Sequence, residues 1–203
     1  MAQISVFKGD LPANISFEKE VAIDTETMGL NLLRDRLCVV QLSDGKGNAY
    51  LVQIEKGVDC PNLKRVLTDK SVLKIFHFAR FDVAKILIDL GVEVTPVYCT
   101  KIASKLARTS SPSHSLKSLC YDLLGVALEK EQQTSDWGAE ELNEAQQKYA
   151  ANDVLYLHEL KQRLDILLKR ENRYDLAMSC FSFLGTRAKL DLLSFNNPDV
   201  FEH

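Results

Sequence analysis

The β patterns in the first hundred residues change partway along, and this change constrains the fold of the chain more than any other feature. Three short β-prone runs come first, at residues 21–25, 37–42 and 49–54, with the turn-forming D-G-K-G-N at residues 44–48. This spacing predicts an antiparallel meander. From residue 61 onward, helix and strand patterns alternate, which is typical of parallel βαβ units. We therefore expect an α/β fold with a mixed sheet of about five or six strands flanked by helices.

The alternating part predicts helices at residues 61–68 and 79–90 and strands at 72–76 and 94–99. Beyond Thr100 the pattern is almost entirely helical, with breaks at residues 110–113 and near Trp137. One long helix is predicted at about residues 142–171, with an apolar stripe of leucines at 157, 160, 164 and 167. We expect a single domain over residues 1–203, in which residues 190–203 form a C-terminal tail or arm.

Composition and charge exclude several classes of protein. The chain has 203 residues, of which 46% are hydrophobic and 26% charged, as in ordinary globular domains. No run approaches the roughly 18 apolar residues of a membrane-spanning helix, so we expect a cytoplasmic protein without membrane contact. A net charge of −3 argues against a long track along duplex nucleic acid but permits a short ligand with few phosphates. The five cysteines have no metal-site spacing and are expected to be buried free thiols.

Acidic residues occur in three apolar motifs, in which an ionised carboxylate is costly unless a positive charge meets it. In V-A-I-D-T-E-T, Asp24 and Glu26 lie two apart on a predicted strand and share one face. In H-F-A-R-F-D, Asp82 falls in the first turn of a helix. Each has a simpler explanation, because acid pairs also occur on exposed strand edges and acids at helix starts interact favourably with the helix dipole.

The third motif, Y-A-A-N-D-V, places Tyr149 and Asp153 one helical turn apart, on the face that continues into the leucine stripe. Asp153 therefore points inward, either as a metal ligand or as a core residue that caps a backbone amide. Oxygen ligands without clustered His or Cys favour Mg²⁺ or Mn²⁺. Two such ions roughly 4 Å apart can catalyse hydrolysis of a phosphodiester.

These motifs resemble those of the DEDD superfamily of 3′–5′ exonucleases, which have a ribonuclease-H-like fold. The tyrosine four residues before the last aspartate matches the y-type pattern, and Q-Q-T-S-D-W and H-S-L-K-S-L resemble the ribonuclease D branch. The length, the opening F-K-G-D-L-P and R-D-R-L-C-V-V-Q-L are closer to nanoRNase C, a compact branch that degrades very short RNA and forms ring-shaped oligomers. Ribonuclease D has helical accessory domains that find no match here.

The resemblance implies roles for particular residues. Two metal ions would be held by Asp24, Glu26, Asp82 and Asp153, and Tyr149 would orient the attacking water. The 3′-terminal nucleotide would be contacted by Thr25, Met28, Gly29, Leu30, His77 and Phe81. Gly29 could equally be a plain turn residue, and Phe81 a packed core residue. Candidates for binding the 5′ phosphate are basic residues that could also form a solvated face, namely Arg80, Lys101, Lys105, Arg108, Arg187 and Lys189.

The resemblance thus predicts a metal-dependent 3′–5′ exoribonuclease acting on short single-stranded RNA, including dinucleotides, and releasing nucleoside 5′-monophosphates. It also implies a homo-oligomeric ring, in relatives an octamer. Two alternatives stay open. The chain could act on longer RNA or DNA 3′ ends, or it could be a catalytically silent scaffold that grips a 3′ end. Loss of one metal-binding acid would mark such a scaffold, and all four acids are present.

Overall fold

A computed structural model of the protein describes residues 2–128, 135–195 and 199–202. Across these residues six strands form one sheet: β1 (Gln3–Lys8), β2 (Glu20–Thr27), β3 (Leu37–Ser43), β4 (Asn48–Gln53), β5 (Leu73–Phe76) and β6 (Val97–Cys99). The strands lie in the order β1-β4-β3-β2-β5-β6. The predicted α/β class and the expected number of strands are confirmed.

The sheet is mixed, as the change of pattern indicated. Strands β2, β3 and β4 are antiparallel and form the predicted meander. Strand β5 pairs parallel to β2, and β6 pairs parallel to β5. The sequence did not predict β1, which pairs parallel to β4 at the edge of the sheet. Its Ile4 and Val6 pack against a cluster that includes Leu51 and Trp137, so this strand depends on distant partners.

Seven helices are described: α1 (Pro61–Thr68), α2 (Ala79–Leu90), α3 (Thr100–Ala107), α4 (Leu116–Leu124), α5 (Glu144–Leu155), α6 (Leu157–Arg170) and α7 (Tyr174–Leu192). Helix α2 ends before Gly91, whose φ of 69° is the left-handed conformation that favours glycine at a helix end. Helix α7 extends to Leu192 and therefore includes the first residues of the expected tail.

The prediction of one helix over residues 142–171 is wrong, because the helix is divided at Tyr156 into α5 and α6. Helix α5 packs against strands of the sheet, whereas α6 packs mainly against α3 and α4. The three leucines at 157, 160 and 164 are fully buried as predicted, but Leu168 is buried in place of Leu167. An interruption of one residue leaves the apolar period almost unchanged, so the sequence pattern did not reveal the division.

The sequence analysis also predicted buried free cysteines and no membrane-spanning helix. All five cysteines are free thiols and four of them are buried, as expected. Among the described residues, no helix has both the length and the apolar character required to cross a bilayer.

Candidate active site

Strand β2 carries the first two acids at the centre of the sheet. Asp24 pairs with Gln41 of β3, and Glu26 pairs with Val39. On the other side, the pairing of β2 with β5 ends at Ala22. Both acids therefore lie beyond the end of β5, at the place where the chain leaves this strand and enters helix α2.

Helix α2 brings the third acid to the same end of the sheet. Asp82 lies in its first turn and is only 4% exposed. The Thr25 hydroxyl donates a hydrogen bond of 2.6 Å to Oδ1 of Asp82. This bond joins the central strand directly to the helix, and it uses the hydroxyl of a residue that was expected to contact substrate.

Helix α5 supplies the fourth acid. Its start is fixed by a capping box, in which Asn143 and Gln146 each bond the other's backbone amide. Near its other end, Asp153 reaches the acids of β2, and one carboxylate oxygen from each of Asp24, Glu26 and Asp153 lies within 4.8 Å of the others. Asp82 lies beside this trio, where its charge acts on all three carboxyls. The structure thus brings the four predicted acids together.

Burial makes each of these acids hard to ionise, and for Asp24, Glu26 and Asp153 the close approach of the other carboxylates adds to the effect. Burial is the main cause, and it raises the pKa of Glu26 to about 9, with further contributions from the charges of Asp153 and Asp82. Burial also raises the pKa of both Asp82 and Asp153 to about 7. The pKa of Asp24 is raised well above its ordinary value by burial and by its three acidic neighbours. Among the described residues, no cation contributes appreciably to lowering the pKa of any of the four acids.

Tyr149 lies one turn before Asp153, close enough for the phenol and the carboxyl to shift each other's pKa. Burial, followed by the nearby carboxylates, raises the pKa of the phenol. The ring packs at 6.0 Å from that of Trp137, centroid to centroid. The sequence analysis gave Trp137 no role, although it ends the quoted stretch Q-Q-T-S-D-W, whose first residues, 132–134, lie outside the described part of the chain.

The segment after Glu26 exposes two apolar side chains beside the cluster. Leu30 is 86% exposed and Met28 is 53% exposed. Gly29 is required here for a reason internal to the protein, since a Cβ atom at this position would lie 2.3 Å from Oδ2 of Asp35. The sequence analysis missed Asp35, which is buried and holds the turn that follows.

His77 and Phe81 flank Asp82, as the sequence predicted. Nδ1 of His77 is 2.9 Å from the Thr100 hydroxyl, which itself donates to the carbonyl of Phe76. Because the only hydroxyl proton of Thr100 is used in that bond, Nδ1 of His77 is the donor and Nε2 is an unprotonated acceptor. Burial, with a smaller contribution from the charge of Lys101, lowers the pKa of His77 to about 3, so the ring is neutral. Phe81 is half-buried.

The structure separates the candidate basic residues into two groups. Arg80 donates two hydrogen bonds of 2.7 Å to Asp191, while Lys189 and Arg187 also form ion pairs with acids. A second group lies near His114, whose pKa is lowered by burial and then by the charges of Arg108, Lys105 and Lys101. Arg108 also pairs with Asp122, whereas Lys101 and Lys105 form no ion pair among the described residues. This second group is the more suitable for binding a phosphate.

The donor chemistry of the cluster suits a hard divalent cation. Its three closest ligand atoms are all carboxylate oxygens, the type that Mg²⁺ and Mn²⁺ prefer. A bound cation would also compensate the mutual repulsion that raises the pKa values of the cluster. The residues present therefore fit a metal site.

A mixed sheet with acids from its central strand and from two helices defines the class of this protein. The family described as 3′–5′ exonuclease matches residues 9–169, and the chain belongs to this family. At the level of individual proteins, it is similar to NrnC of Brucella melitensis. A structure of NrnC bound to pGG is 50% identical in sequence, covers 100% of both chains and has a TM-score of 0.95. A structure of NrnC with bound Mg²⁺ is also 50% identical, with a TM-score of 0.93 over 99% of both chains.

Ribonuclease D is another relative. The enzyme of Acidiphilium cryptum is 32% identical over 79% of this chain, which spans 41% of that protein. The structure of Escherichia coli RNase D, described as an exoribonuclease involved in structured RNA processing, is 27% identical, with a TM-score of 0.74. The match covers 85% of this chain and 45% of the Escherichia coli chain. The predicted ribonuclease-H-like class and the resemblance to these two branches are confirmed.

Proposed function

We propose that this protein is a metal-dependent 3′–5′ exoribonuclease that hydrolyses short oligoribonucleotides, including dinucleotides, to nucleoside 5′-monophosphates. The observation that carries this proposal is the convergence of Asp24, Glu26 and Asp153 within 4.8 Å, with Asp82 beside them. The match to NrnC over the whole chain, in one case with pGG bound, supports a short substrate.

The four acids would hold two divalent ions, Mg²⁺ or Mn²⁺. Such a pair, when bound, activates a water molecule and stabilises the leaving oxygen of an in-line displacement at phosphorus. In the reaction, the oxygen of water forms a bond to phosphorus, and the bond from phosphorus to O3′ of the preceding nucleotide breaks. The 3′-terminal nucleotide is released with its 5′ phosphate, and the new 3′ hydroxyl of the remaining chain takes up a proton.

Tyr149 would orient the attacking water. This role is supported by its position beside Asp153, one of the proposed metal ligands. Because burial raises the pKa of this phenol, it keeps its proton at neutral pH and does not serve as a general base. Trp137 packs against the ring and limits its movement.

Substrate contacts follow from what the site exposes. The exposed side chains of Met28 and Leu30 provide an apolar surface for a nucleobase, next to the backbone of Thr25 and Gly29. Nε2 of His77 can accept a hydrogen bond from a ribose hydroxyl.

Two more groups complete the proposed contacts. Phe81, which is half-buried, offers a ring edge or face to the nucleotide. The basic group of Lys101, Lys105 and Arg108 provides positive charge for a 5′ phosphate. Few phosphates would be contacted, in keeping with the net charge of −3.

A longer RNA, or DNA, is the second candidate substrate, favoured by the similarity to ribonuclease D. The test compares turnover of a labelled RNA dinucleotide, a longer RNA oligomer and a DNA dinucleotide in Mg²⁺ or Mn²⁺, each with a chelator blank. Asp153→Asn provides the inactive control. We expect the RNA dinucleotide to have the highest kcat/KM. Preference for the long oligomer would favour the second candidate, and metal-dependent binding without turnover would favour the scaffold.

We also propose that the protein forms a homo-oligomer. This is supported by exposed apolar side chains on α7 and after it, including Leu176, Phe183, Leu193 and Phe201. Light scattering on the eluted protein would measure the molar mass of the assembly. Phe201→Asp should lower that mass. The chain would act as a single cytoplasmic exonuclease domain, with residues after α7 forming the arm.

A further inference from the structure

The loop between β2 and β3, residues 28–36 and hereafter the β2–β3 loop, combines an exposed apolar tip with an unusually well-held backbone. Leu30 at its tip is 86% exposed. Such a loop would ordinarily be mobile. Here, Lys85 of α2 binds the loop backbone at Leu32, and Asp89 of α2 binds the amide of Leu37, where the loop enters β3.

Lys85 is the main support. It lies on α2, one turn after Asp82, and is only 1% exposed. Its Nζ donates to the carbonyl of Leu32 at 2.9 Å and forms an ion pair of 2.8 Å with Oδ1 of Asp89. The other oxygen of Asp89 accepts a hydrogen bond of 2.5 Å from the amide of Leu37, where the loop enters β3. A buried lysine is costly to desolvate, and here its charge is directed at the loop.

A second support acts from within the loop. The carboxylate of Asp35 accepts a bond of 3.0 Å from the Asn31 amide and bonds of 2.6 and 2.9 Å from the Arg34 guanidinium. The Asn31 side chain in turn accepts from the amides of Leu33 and Arg34. Gly29 packs against Asp35 so closely that no Cβ fits. The turn that presents Leu30 is therefore rigid in itself.

The geometry points to Lys85 and Asp89 as a positioning pair for substrate. Because α2 carries both Asp82 and this pair, the pair fixes the distance between the carboxylate cluster and Leu30, and so places the nucleobase relative to the scissile phosphate. This inference rests on the proposed function. It goes beyond a structural role. Removing a purely structural pair would destabilise the fold and would change kcat/KM by the same factor with and without Leu30, whereas removing a positioning pair would change kcat/KM only when Leu30 is present.

A double-mutant cycle separates the two roles. We would measure kcat/KM on an RNA dinucleotide in Mg²⁺ for the wild type, Leu30→Ala, Lys85→Met and the double variant. Methionine keeps the length of the lysine side chain but removes its donor. Misplacement by about an ångström at a reacting centre costs up to about 100-fold, so we expect Lys85→Met to lower kcat/KM by roughly 10–100-fold. In the Leu30→Ala background, the same substitution should have almost no further effect.

The chain offers a matched control in Lys74, which is fully buried and donates to the carbonyls of Asp69 and Thr95, away from the loop. Lys74→Met should destabilise the protein, yet its effect on kcat/KM should be the same with and without Leu30. If Lys85→Met does not fold, Asp89→Asn takes its place in the cycle, because it removes the ion pair with Lys85.

The outcomes are distinct. Strong coupling between Lys85 and Leu30, absent for Lys74, supports the inference. Effects of Lys85→Met and Leu30→Ala that simply multiply, or no effect of Lys85→Met in a folded protein, would overturn it while leaving the proposed function intact. A wild-type protein that does not cleave the dinucleotide in Mg²⁺ or Mn²⁺ would overturn the proposed function, and the inference with it.

Discussion

Replacing Asp153 by asparagine should make the protein more stable in a chelator while abolishing its activity. The substitution keeps the shape of the side chain and removes one charge from a cluster in which four carboxylates converge. Activity is lost because a proposed metal ligand is lost. Stability rises because a buried carboxylate, which is costly to ionise, is removed, and also because the remaining carboxylates repel one another less.

The size of the effect follows from the pKa of Asp153, which is about 7 in the folded protein against an ordinary value of 3.8. This difference corresponds to roughly 4 kcal/mol of destabilisation when the carboxylate is ionised. Neighbouring acids are themselves partly protonated at pH 8, so one substitution should recover only about 1–3 kcal/mol. For a domain of this size, that is a rise in Tm of roughly 2–10 °C.

The dependence on pH has a definite sign. The folded-state pKa of Asp153 lies above its unfolded value, so the associated stability is fully present below about pH 4 and is lost as the pH rises to about 7. The advantage of Asp153→Asn over the wild type should therefore be near zero at about pH 4, increase up to about pH 7 and stay constant above that value.

Thermal unfolding in EDTA over this pH range would measure the difference, with Glu159→Gln as the control. Glu159 is an exposed acid on α6, and its substitution should change stability by no more than about 0.5 kcal/mol. Adding Mg²⁺ should raise the Tm of the wild type far more than that of Asp153→Asn. A lower Tm for Asp153→Asn in EDTA at pH 8 would refute the reasoning and favour a core-capping role for this residue.

Four further outcomes are expected. Tyr149→Phe should lower kcat by roughly 10–100-fold, as measured by initial rates, because the attacking water is less well oriented, while the Tm rise in Mg²⁺ is retained. Leu30→Ala should raise KM for a dinucleotide but change the free energy of unfolding by less than about 0.5 kcal/mol, because this side chain is 86% exposed. Across the described residues the buried amide of Gln41 has no hydrogen-bond partner, so Gln41→Leu should raise stability toward urea by about 1–3 kcal/mol, and a loss would show that the amide is bonded in solution. A plot of log KM for the dinucleotide against log salt should have a slope of about 1, whereas a steep slope would indicate a long track of phosphate contacts.

Local patterns were sufficient to predict much of this site. The alternation along a strand placed Asp24 and Glu26 on one face, and the leucine stripe directed Asp153 inward. Gly91 marked the end of α2. Each of these features depends on residues close together in sequence, so a local sequence pattern is enough to predict it.

What could not be predicted depends on tertiary packing. The bond from Lys85 to the carbonyl of Leu32 joins residues 53 apart, and no local pattern distinguishes a lysine directed inward from one on a solvated helix face. The same holds for the division at Tyr156, which follows from the different surfaces that α5 and α6 cover. Strand β1 was missed because its partner β4 comes 45 residues later, as in the pairing of Gln3 with Asn48.

The origin of the acids on β2, α2 and α5 has a consequence for biosynthesis. On a nascent chain, the strands and α2 can assemble before the ribosome has released Asp153, and up to that stage the ligand set is incomplete. Docking of α5 then presses a further negative charge against those already in place. A divalent ion that offsets this charge should therefore favour the docking of α5, and a chain that ends before α5 should bind such ions more weakly, because it lacks one of the four acids.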